Sequence, residues 1–285
     1  MNLGDFPHTL EEDRQALEDL KRAVGHLMTP SVTIQITNVL GTPVEYAVKK
    51  LPKKAQERIG NAVNAALHKA LKAGIWGMSD EQADAAMKGH MAAVAIAGAL
   101  GGFGGPVTTF VELPITTTLM MRSIADIARS EGFRPSEFHT QLHCIEVFGL
   151  QGINEKDADT GYFAVRAAMA PFFEQVSKEL TDIITKKGTE EAGKHAAETL
   201  SPSLARWLAE LIDKIATRYG ITISEKIAAQ MVPIVGAAAG ATLNALFMDY
   251  YQDMARGHFI LKRLELTYGE EAVKASAKKY AASGA

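Results

Sequence analysis

Apolar residues recur at intervals of three and four along most of the chain. Between residues 53 and 73 they alternate with a polar face rich in lysine, which predicts an amphipathic helix that ends at Gly74. Similar patterns predict further helices near 10–27, 80–100, 107–130, 136–149, 160–185, 203–219, 224–256 and 259–280. Residues 31–37 alternate like a short strand, although a helix after Pro30 is the other option. The pattern therefore predicts an all-α protein.

Local signals refine where these helices begin. Three capping boxes predict helix starts, and they pair Thr9 with Glu12, Thr42 with Glu45, and Ser79 with Gln82. Two prolines, Pro114 and Pro233, fall inside apolar runs, where we expect them to kink or interrupt the helix.

Two long stretches of small, uncharged residues stand out. The first covers residues 91–121 with Glu112 as its only charge, and the second covers residues 231–248 with none. Glycine and alanine repeat every four residues in both, which gives a helix a flat face that a second backbone can approach closely. The glycine-rich run before Pro106 predicts a turn between two helices. We therefore predict glycine- and alanine-rich central helical hairpins, with candidate ligand-binding positions at Gly101, Gly105, Gly236 and Gly240.

Three interpretations of these stretches remain open. A helical hairpin in the core is favoured, because the runs are broken below spanning length. A hairpin that enters or docks on a membrane is the second, and the lining of a site for a lipid-like ligand is the third. The environment of Glu112 distinguishes these interpretations. This residue either caps a broken turn at a solvent rim or makes a polar contact at the base of an apolar site.

Composition narrows the class of protein. The 285 residues are 47% hydrophobic and 22% charged, with a net charge of −3, which allows a large core and gives no basic field for nucleic acid. The single cysteine, Cys144, excludes an internal disulfide framework, and the first residues lack a signal-peptide pattern. We expect a cytoplasmic protein with one domain over residues 1–285, in which 187–203 form a polar connection and both the helix at 9–27 and the tail at 269–285 are peripheral.

Each uncharged stretch leads into a cluster of ionisable residues. Arg122 and Asp126 follow the first, whereas Asp249, Asp253 and His258 follow the second. We expect Arg122, Asp126, Asp249 and Asp253 to share one neighbourhood, and the second group to pair with Arg122, Arg129 or Arg166 at the edge of the core. The alternative is acid–base or metal chemistry, for which the candidate catalytic residues are Asp126, Glu146, Asp249, Asp253 and His258.

One predicted helix carries a histidine pair. His139 and His143 lie four residues apart with Glu146 three further on, so all three share about one face. In the zincin motif a glutamate directly follows the first histidine, but Thr140 stands there, and a solvated polar face is favoured over a metal site. The loop from Gly188 to Lys194 comes close to a phosphate-binding pattern but continues with His195 in place of Ser or Thr. We therefore predict no metal and no cofactor.

Several segments resemble a known family. They are LPITTTLMMRSIADIARSEG at 113–132, CIEVFGL at 144–150, TGYFAVR at 160–166, ISEK at 223–226 with VPIVGA at 232–237, and FMDYYQDMARGHF at 247–259. Together with GTPVE at 41–45 and Leu51-Pro52, they resemble the bacterial EcsC family over about residues 40–268. The family takes its name from a protein encoded beside an ABC transporter in an operon linked to secretion and competence. The resemblance implies a helical cytoplasmic protein associated with the inner face of the membrane, and it carries over no agreed catalytic residue.

These observations favour a non-enzymatic, membrane-associated accessory protein that holds a lipid or another apolar ligand between its small-residue helices, linked to transport or secretion. Candidate contacts for the ligand are Glu112, Arg122, Tyr162 and Arg166. One alternative is a metal- or carboxylate-dependent hydrolase, and another is a helical scaffold that binds a transporter subunit.

Overall fold

A computed structural model describes residues 9–40, 48–49, 51–75, 77–102, 106–150, 152–153, 161–187, 201–230 and 237–283. Within these ranges the regular structure consists of ten α-helices and one 3₁₀ turn, with no strand. The helices are α1 (Arg14–Leu27), α2 (Val32–Leu40), α3 (Lys53–Ala73), α4 (Met87–Gly102), α5 (Pro106–Ser130), α6 (Phe138–Glu146), α7 (Tyr162–Lys187), α8 (Pro202–Gln230), α9 (Ala237–Tyr268) and α10 (Glu270–Ala282), and the 3₁₀ turn is Val147–Gly149. The predicted all-α class is confirmed, and residues 31–37 belong mostly to helix α2.

Two capping boxes do not mark helix starts. Helix α1 begins after Asp13, whose carboxylate accepts hydrogen bonds from the amides of Gln15 and Ala16 at 2.9 and 3.0 Å. The start predicted at Thr9 is wrong because Leu10 packs in the core ahead of the helix. The start predicted at Ser79 is also wrong, since residues 79–86 are not helical and α4 begins at Met87. The box at Thr42 lies outside the described residues.

Other boundaries also differ from the prediction. Helix α5 continues through Pro114, so that proline does not interrupt it, whereas Pro233 lies outside the described residues. Helix α8 is a single helix, because Tyr219 and Ile223 are buried on either side of Gly220. Helix α9 continues past residues 256–259, where we expected a break, since Met254 and Phe259 are both buried in the core.

Four helices form the centre of the molecule. Contacts of Glu112 with Lys226, and of Thr117 with Tyr219, show that α5 and α8 run antiparallel. Asn244 and Gln252 of α9 contact Glu112 and Ser123 of α5, so these two helices run parallel. The same two side chains donate to the carbonyls of Val94 and Met87, so α4 runs antiparallel to α9. Helices α5 and α9 therefore run in one direction, and α4 and α8 in the other.

The remaining helices cover this centre. Helix α3 packs on α5 and α8, α1 and α10 pack on α9, α6 packs on α5, and α7 packs on α8. Their apolar faces join one continuous core that reaches from Leu10 to Ala281. The division into one domain stays a prediction.

The predicted hairpin turns lie in the parts of the chain that are not described. Helix α4 ends at Gly102 and α5 begins at Pro106, and the two helices pack together, but residues 103–105 and 231–236 are outside the described ranges. Among the described helices, none is both long enough and apolar enough to cross a membrane.

Candidate functional site

Glu112 lies in a polar cluster at the centre of the four helices. It is 6% exposed, and its Oε1 atom accepts hydrogen bonds from Lys226 Nζ at 3.1 Å and from Asn244 Nδ2 at 2.5 Å. Asn244 also donates to the carbonyl of Val94 at 3.2 Å, which brings all four central helices to one level. We call Glu112, Lys226 and Asn244 the central polar cluster.

The central polar cluster is almost free of contact with solvent. Lys226 is 1% exposed, and this burial lowers its pKa even though the charge of Glu112 opposes the change. Glu112 therefore neither faces a solvent rim nor caps a turn; it neutralises a buried ammonium group among apolar helices.

A second buried polar group joins α6 to α9. The Nδ1 atom of His143 lies 3.0 Å from Oε2 of Glu146, and Nε2 of His258 lies 3.5 Å from the same oxygen. One nitrogen from each histidine and one oxygen of Glu146 all lie within 4.8 Å of one another. We call His143, Glu146 and His258 the His–Glu–His cluster.

The His–Glu–His cluster is buried to different degrees. The side chains of Glu146 and His258 are 4% and 0% exposed, whereas that of His143 is 20% exposed and stacks on the ring of Phe173. Burial, together with the charge of Arg166, holds the pKa of His258 well below its usual value, so its imidazole is neutral. Such a set of two imidazoles and one carboxylate has the donors of many transition-metal sites.

A chain of polar side chains extends from His258 toward α7. The Nδ1 atom of His258 is 2.9 Å from the hydroxyl of Tyr162, to which Arg166 donates at 3.4 Å. Arg166 in turn makes two hydrogen bonds to Glu265, at 2.6 and 2.9 Å. Burial raises the pKa of Tyr162, so the phenol keeps its proton and holds the His258 ring in one orientation.

His139 does not join this cluster. Its Nε2 atom is 2.9 Å from the hydroxyl of Ser177 on α7, and the contact is exposed. The pair His139–His143 considered from the sequence is thus divided, with His143 alone in the His–Glu–His cluster.

Asp126 has partners on its own helix and in the segment before α4. Asp126 is 4% exposed and accepts hydrogen bonds from Arg129 at 2.5 Å and from the amide of Ala86 at 2.6 Å. His90 is also within 3.3 Å. The carboxylate therefore connects α5 to the segment that leads into α4.

Asp253 has a different set of partners, which lie on α1, just after α1 and on α9 itself. It contacts His26 Nδ1 at 2.9 Å, accepts a hydrogen bond from Thr29 at 3.0 Å and pairs with Arg256 at 3.5 Å. Asp249 is exposed one turn earlier on α9. His258 is linked to Arg166 through Tyr162, whereas the pairing of Asp249 and Asp253 with Arg122, Arg129 or Arg166 stays a prediction.

The candidate glycines are only partly placed. Gly101 and Gly240 lie in α4 and α9, whereas Gly105 and Gly236 are outside the described residues. A surface cleft of about 400 Å³ lies elsewhere, between α3 and α8, and its walls include Asn61, Asn64 and Asp213. Ala65 and Ala216 complete this mixed lining, and the apolar ligand site expected from the sequence stays a prediction.

Several partners were missing from the sequence-based list of site residues. Lys226 and Asn244 hold Glu112, Glu265 holds Arg166, and His26 holds Asp253. These contacts join residues that are far apart in the chain, and no local motif marks them. The apolar neighbours of Lys226 are the one signal, because a lysine next to a long uncharged stretch needs a partner when it is buried.

Comparison with known proteins places the chain in a family. The EcsC protein family matches residues 14–264, which covers most of the sequence. No curated protein and no solved structure matches the chain. The chain belongs to the EcsC protein family.

Proposed function

We propose that this protein is a membrane-associated accessory protein, which docks on the inner face of the membrane through one uncharged end of its four central helices. On one side of the central polar cluster lie residues 95–102 of α4, 106–111 of α5, 227–230 of α8 and 237–243 of α9, which we call the uncharged end. None of these segments contains Asp, Glu, Lys, Arg or His. The lipid of the bilayer is the apolar ligand, and a link to transport or secretion, as the family resemblance implies, is part of the proposal.

The observation that carries this proposal is the position of the central polar cluster. Glu112, Lys226 and Asn244 meet at one level, and beyond that level the described parts of all four helices continue without a charged side chain. Segments of ordinary composition would contain several charges over this length. A lack of charge at one end suits an interface with lipid headgroups and acyl chains, where a buried charge is costly.

Exposure and length give further support. Ile96 is 63% exposed on α4, within the uncharged end. From residue 95 to the end of α4 at Gly102 a helix rises about 12 Å, which suits entry into the interfacial region and falls short of the ~30 Å hydrocarbon core. This agrees with the finding that no described helix could cross a membrane.

Vesicle flotation with two matched variants tests the proposal. Ile96→Glu places a carboxylate on the uncharged end, whereas Leu266→Glu does the same at a residue that is 80% exposed toward the far end of α9. We expect the wild-type protein and Leu266→Glu to float equally well with phosphatidylcholine–phosphatidylglycerol vesicles. We expect Ile96→Glu to bind about tenfold or more weakly, because burial of an isoleucine contributes about 1.5–3 kcal/mol.

A high-salt wash, a detergent wash and the comparison of the two variants decide whether the protein docks on lipid. Resistance of the bound protein to high salt and release by detergent support docking through apolar contacts. A failure of the wild-type protein to float, or equal loss of binding in both variants, contradicts the proposal. If binding appears only when a transporter subunit is reconstituted in the vesicles, the scaffold alternative replaces direct docking on lipid.

A further inference from the structure

The His–Glu–His cluster contains a buried nitrogen whose hydrogen-bonding capacity is not used. Nε2 of His258 has no hydrogen-bond partner among the described residues, although the side chain is fully buried. Its closest polar neighbour is Oε2 of Glu146, at 3.5 Å. An unpaired polar atom in the interior is destabilising, so it needs a physical reason.

The other ring nitrogen of His258 has a hydrogen-bond partner of its own. Nδ1 lies 2.9 Å from the hydroxyl of Tyr162, and Arg166 is bonded to that hydroxyl and to Glu265. When Nδ1 donates its hydrogen to Tyr162, Nε2 presents a lone pair toward the Glu146 carboxylate, which also carries lone pairs. A cation between the two groups turns this repulsion into attraction.

We propose that His143, Glu146 and His258 together bind one divalent transition-metal ion, Zn²⁺ or a chemically similar first-row ion. The donors are two imidazoles and one carboxylate, which is a ligand set used by zinc sites. The two closest pairs of donor atoms are 3.0 and 3.5 Å apart, and ligands at 2.0–2.1 Å from a tetrahedral ion are separated by roughly 3.3 Å. Each histidine nitrogen is therefore already at about the distance of a neighbouring ligand from Oε2 of Glu146, and the two nitrogens lie within 4.8 Å of each other.

The neighbouring residues have the arrangement of an outer shell. Metal-bound histidines usually make a hydrogen bond through the nitrogen that does not touch the metal, and this bond fixes the tautomer and the ring. Tyr162 does this for His258, and Arg166 holds Tyr162 while its own charge is balanced by the two bonds to Glu265. Residues of α6, α7 and α9 thus converge on one site.

Three protein donors leave one coordination position for water or a substrate. This is the arrangement of catalytic rather than structural zinc sites, which have four protein ligands. Of the three side chains, His143 is the one with appreciable exposure, so solvent reaches the cluster on its side. The site is independent of docking on a membrane, and it provides the observation that favours the hydrolase alternative.

Metal binding can be measured directly on the full chain. Protein purified without an affinity tag is treated with a chelator, and Co²⁺ and then Zn²⁺ are titrated near neutral pH. We expect one equivalent of Co²⁺ to give visible absorption bands of a four- or five-coordinate site, and one equivalent of Zn²⁺ to displace it. The absence of stoichiometric binding by the wild-type protein would overturn the proposal.

Variants on α6 and α7 locate the site. We expect His143→Ala to weaken binding by more than about a hundredfold, since the loss of an outer-shell partner alone costs about 10–100-fold. His139→Ala, one turn earlier on the same helix and bonded to Ser177, is the matched control and should bind like the wild type. Tyr162→Phe should weaken binding about tenfold and keep the stoichiometry of one.

The comparison of His143→Ala with His139→Ala requires that both variants fold. His143 is partly exposed, so His143→Ala should fold, and circular dichroism checks this before each titration. Equal losses of Co²⁺ binding in folded His143→Ala and His139→Ala would assign the ion to another site and refute the proposal.

Discussion

The ammonium group of Lys226 lies 3.1 Å from the carboxylate of Glu112, and both side chains are almost completely buried. Burial of two charges is costly, and their attraction offsets the cost only while both are present. Glu112→Gln and Lys226→Met should therefore each lower the free energy of unfolding by about 3–5 kcal/mol.

The double variant separates this pair from simple packing. We expect Glu112→Gln combined with Lys226→Met to lose much less than the sum of the single losses, since no unpaired charge remains, and Gln keeps an oxygen for Asn244. Urea unfolding of all four proteins gives the coupling free energy. Losses that simply add would show that the two charges do not stabilise each other.

Asp126 fixes the segment that precedes α4. Asp126→Ala removes hydrogen bonds to Arg129 and to the amide of Ala86, and should cost about 3–5 kcal/mol because it leaves buried donors unpaired. Glu271→Ala, which removes an exposed partner of Lys274, should change stability by less than about 1 kcal/mol. Thermal unfolding compares the two, and equal melting temperatures would show that Asp126 has no structural role.

Asp253 and Asp249 should respond to pH with opposite signs. Burial raises the pKa of Asp253, but hydrogen bonds from His26 and Thr29 outweigh it and leave the pKa lowered. Its stabilising contribution is therefore fully present above the pKa of an unfolded aspartate, about 3.9, and is lost as the pH falls through the lower folded value. Asp253→Asn should be less stable than the wild type at pH 7, with a smaller difference near pH 3.

For Asp249, desolvation and the charge of Asp253 raise the pKa. The folded state then binds a proton more tightly than the unfolded chain does, so the charged form of Asp249 opposes folding at neutral pH. Asp249→Asn should be slightly more stable than the wild type at pH 7, and the gain should vanish in acid. Urea unfolding at both pH values checks the pair, and shifts of the same sign in both variants would contradict the assigned contacts.

Close packing of α1 on α9 depends on one glycine. A Cβ atom at Gly257 would lie 2.5 Å from Cγ of Leu27 and 2.8 Å from the carbonyl oxygen of Ala23. Gly257→Ala should therefore cost about 1–3 kcal/mol through overpacking. Gly25→Ala on the facing helix α1 meets no atom within 4 Å and should raise stability by up to about 1 kcal/mol. Chemical denaturation distinguishes them, and stabilisation by Gly257→Ala would show that the two helices are further apart.

Helical structure itself was predictable from the sequence. The amphipathic helix at 53–73 was predicted with the bounds that α3 has, because apolar periodicity is a local property and burial of one face follows it. The two uncharged stretches were equally predictable, and they mark the segments that avoid water in a core or at a lipid interface. The resemblance to the EcsC family was also carried by short segments along the chain, and the match over residues 14–264 confirms it.

Helix ends were less predictable, because tertiary contacts compete with local caps. Thr9 has the chemistry of a cap, but burial of Leu10 holds that segment outside α1. The segment at 79–86 stays non-helical, since Asp80 accepts two hydrogen bonds from Ser136 and Asp126 accepts one from Ala86.

The sequence by itself determined the all-α class, the family and the uncharged segments, because each of these depends on residues that are close together in the chain. Only the tertiary structure decided which side chains meet. Glu112 and Lys226 are 114 residues apart, and His258 reaches His143 and Glu146 only because α9 and α6 both pack on α5. Side-chain partners across helices depend on the packing of whole elements, and one sequence contains no local signal for that geometry.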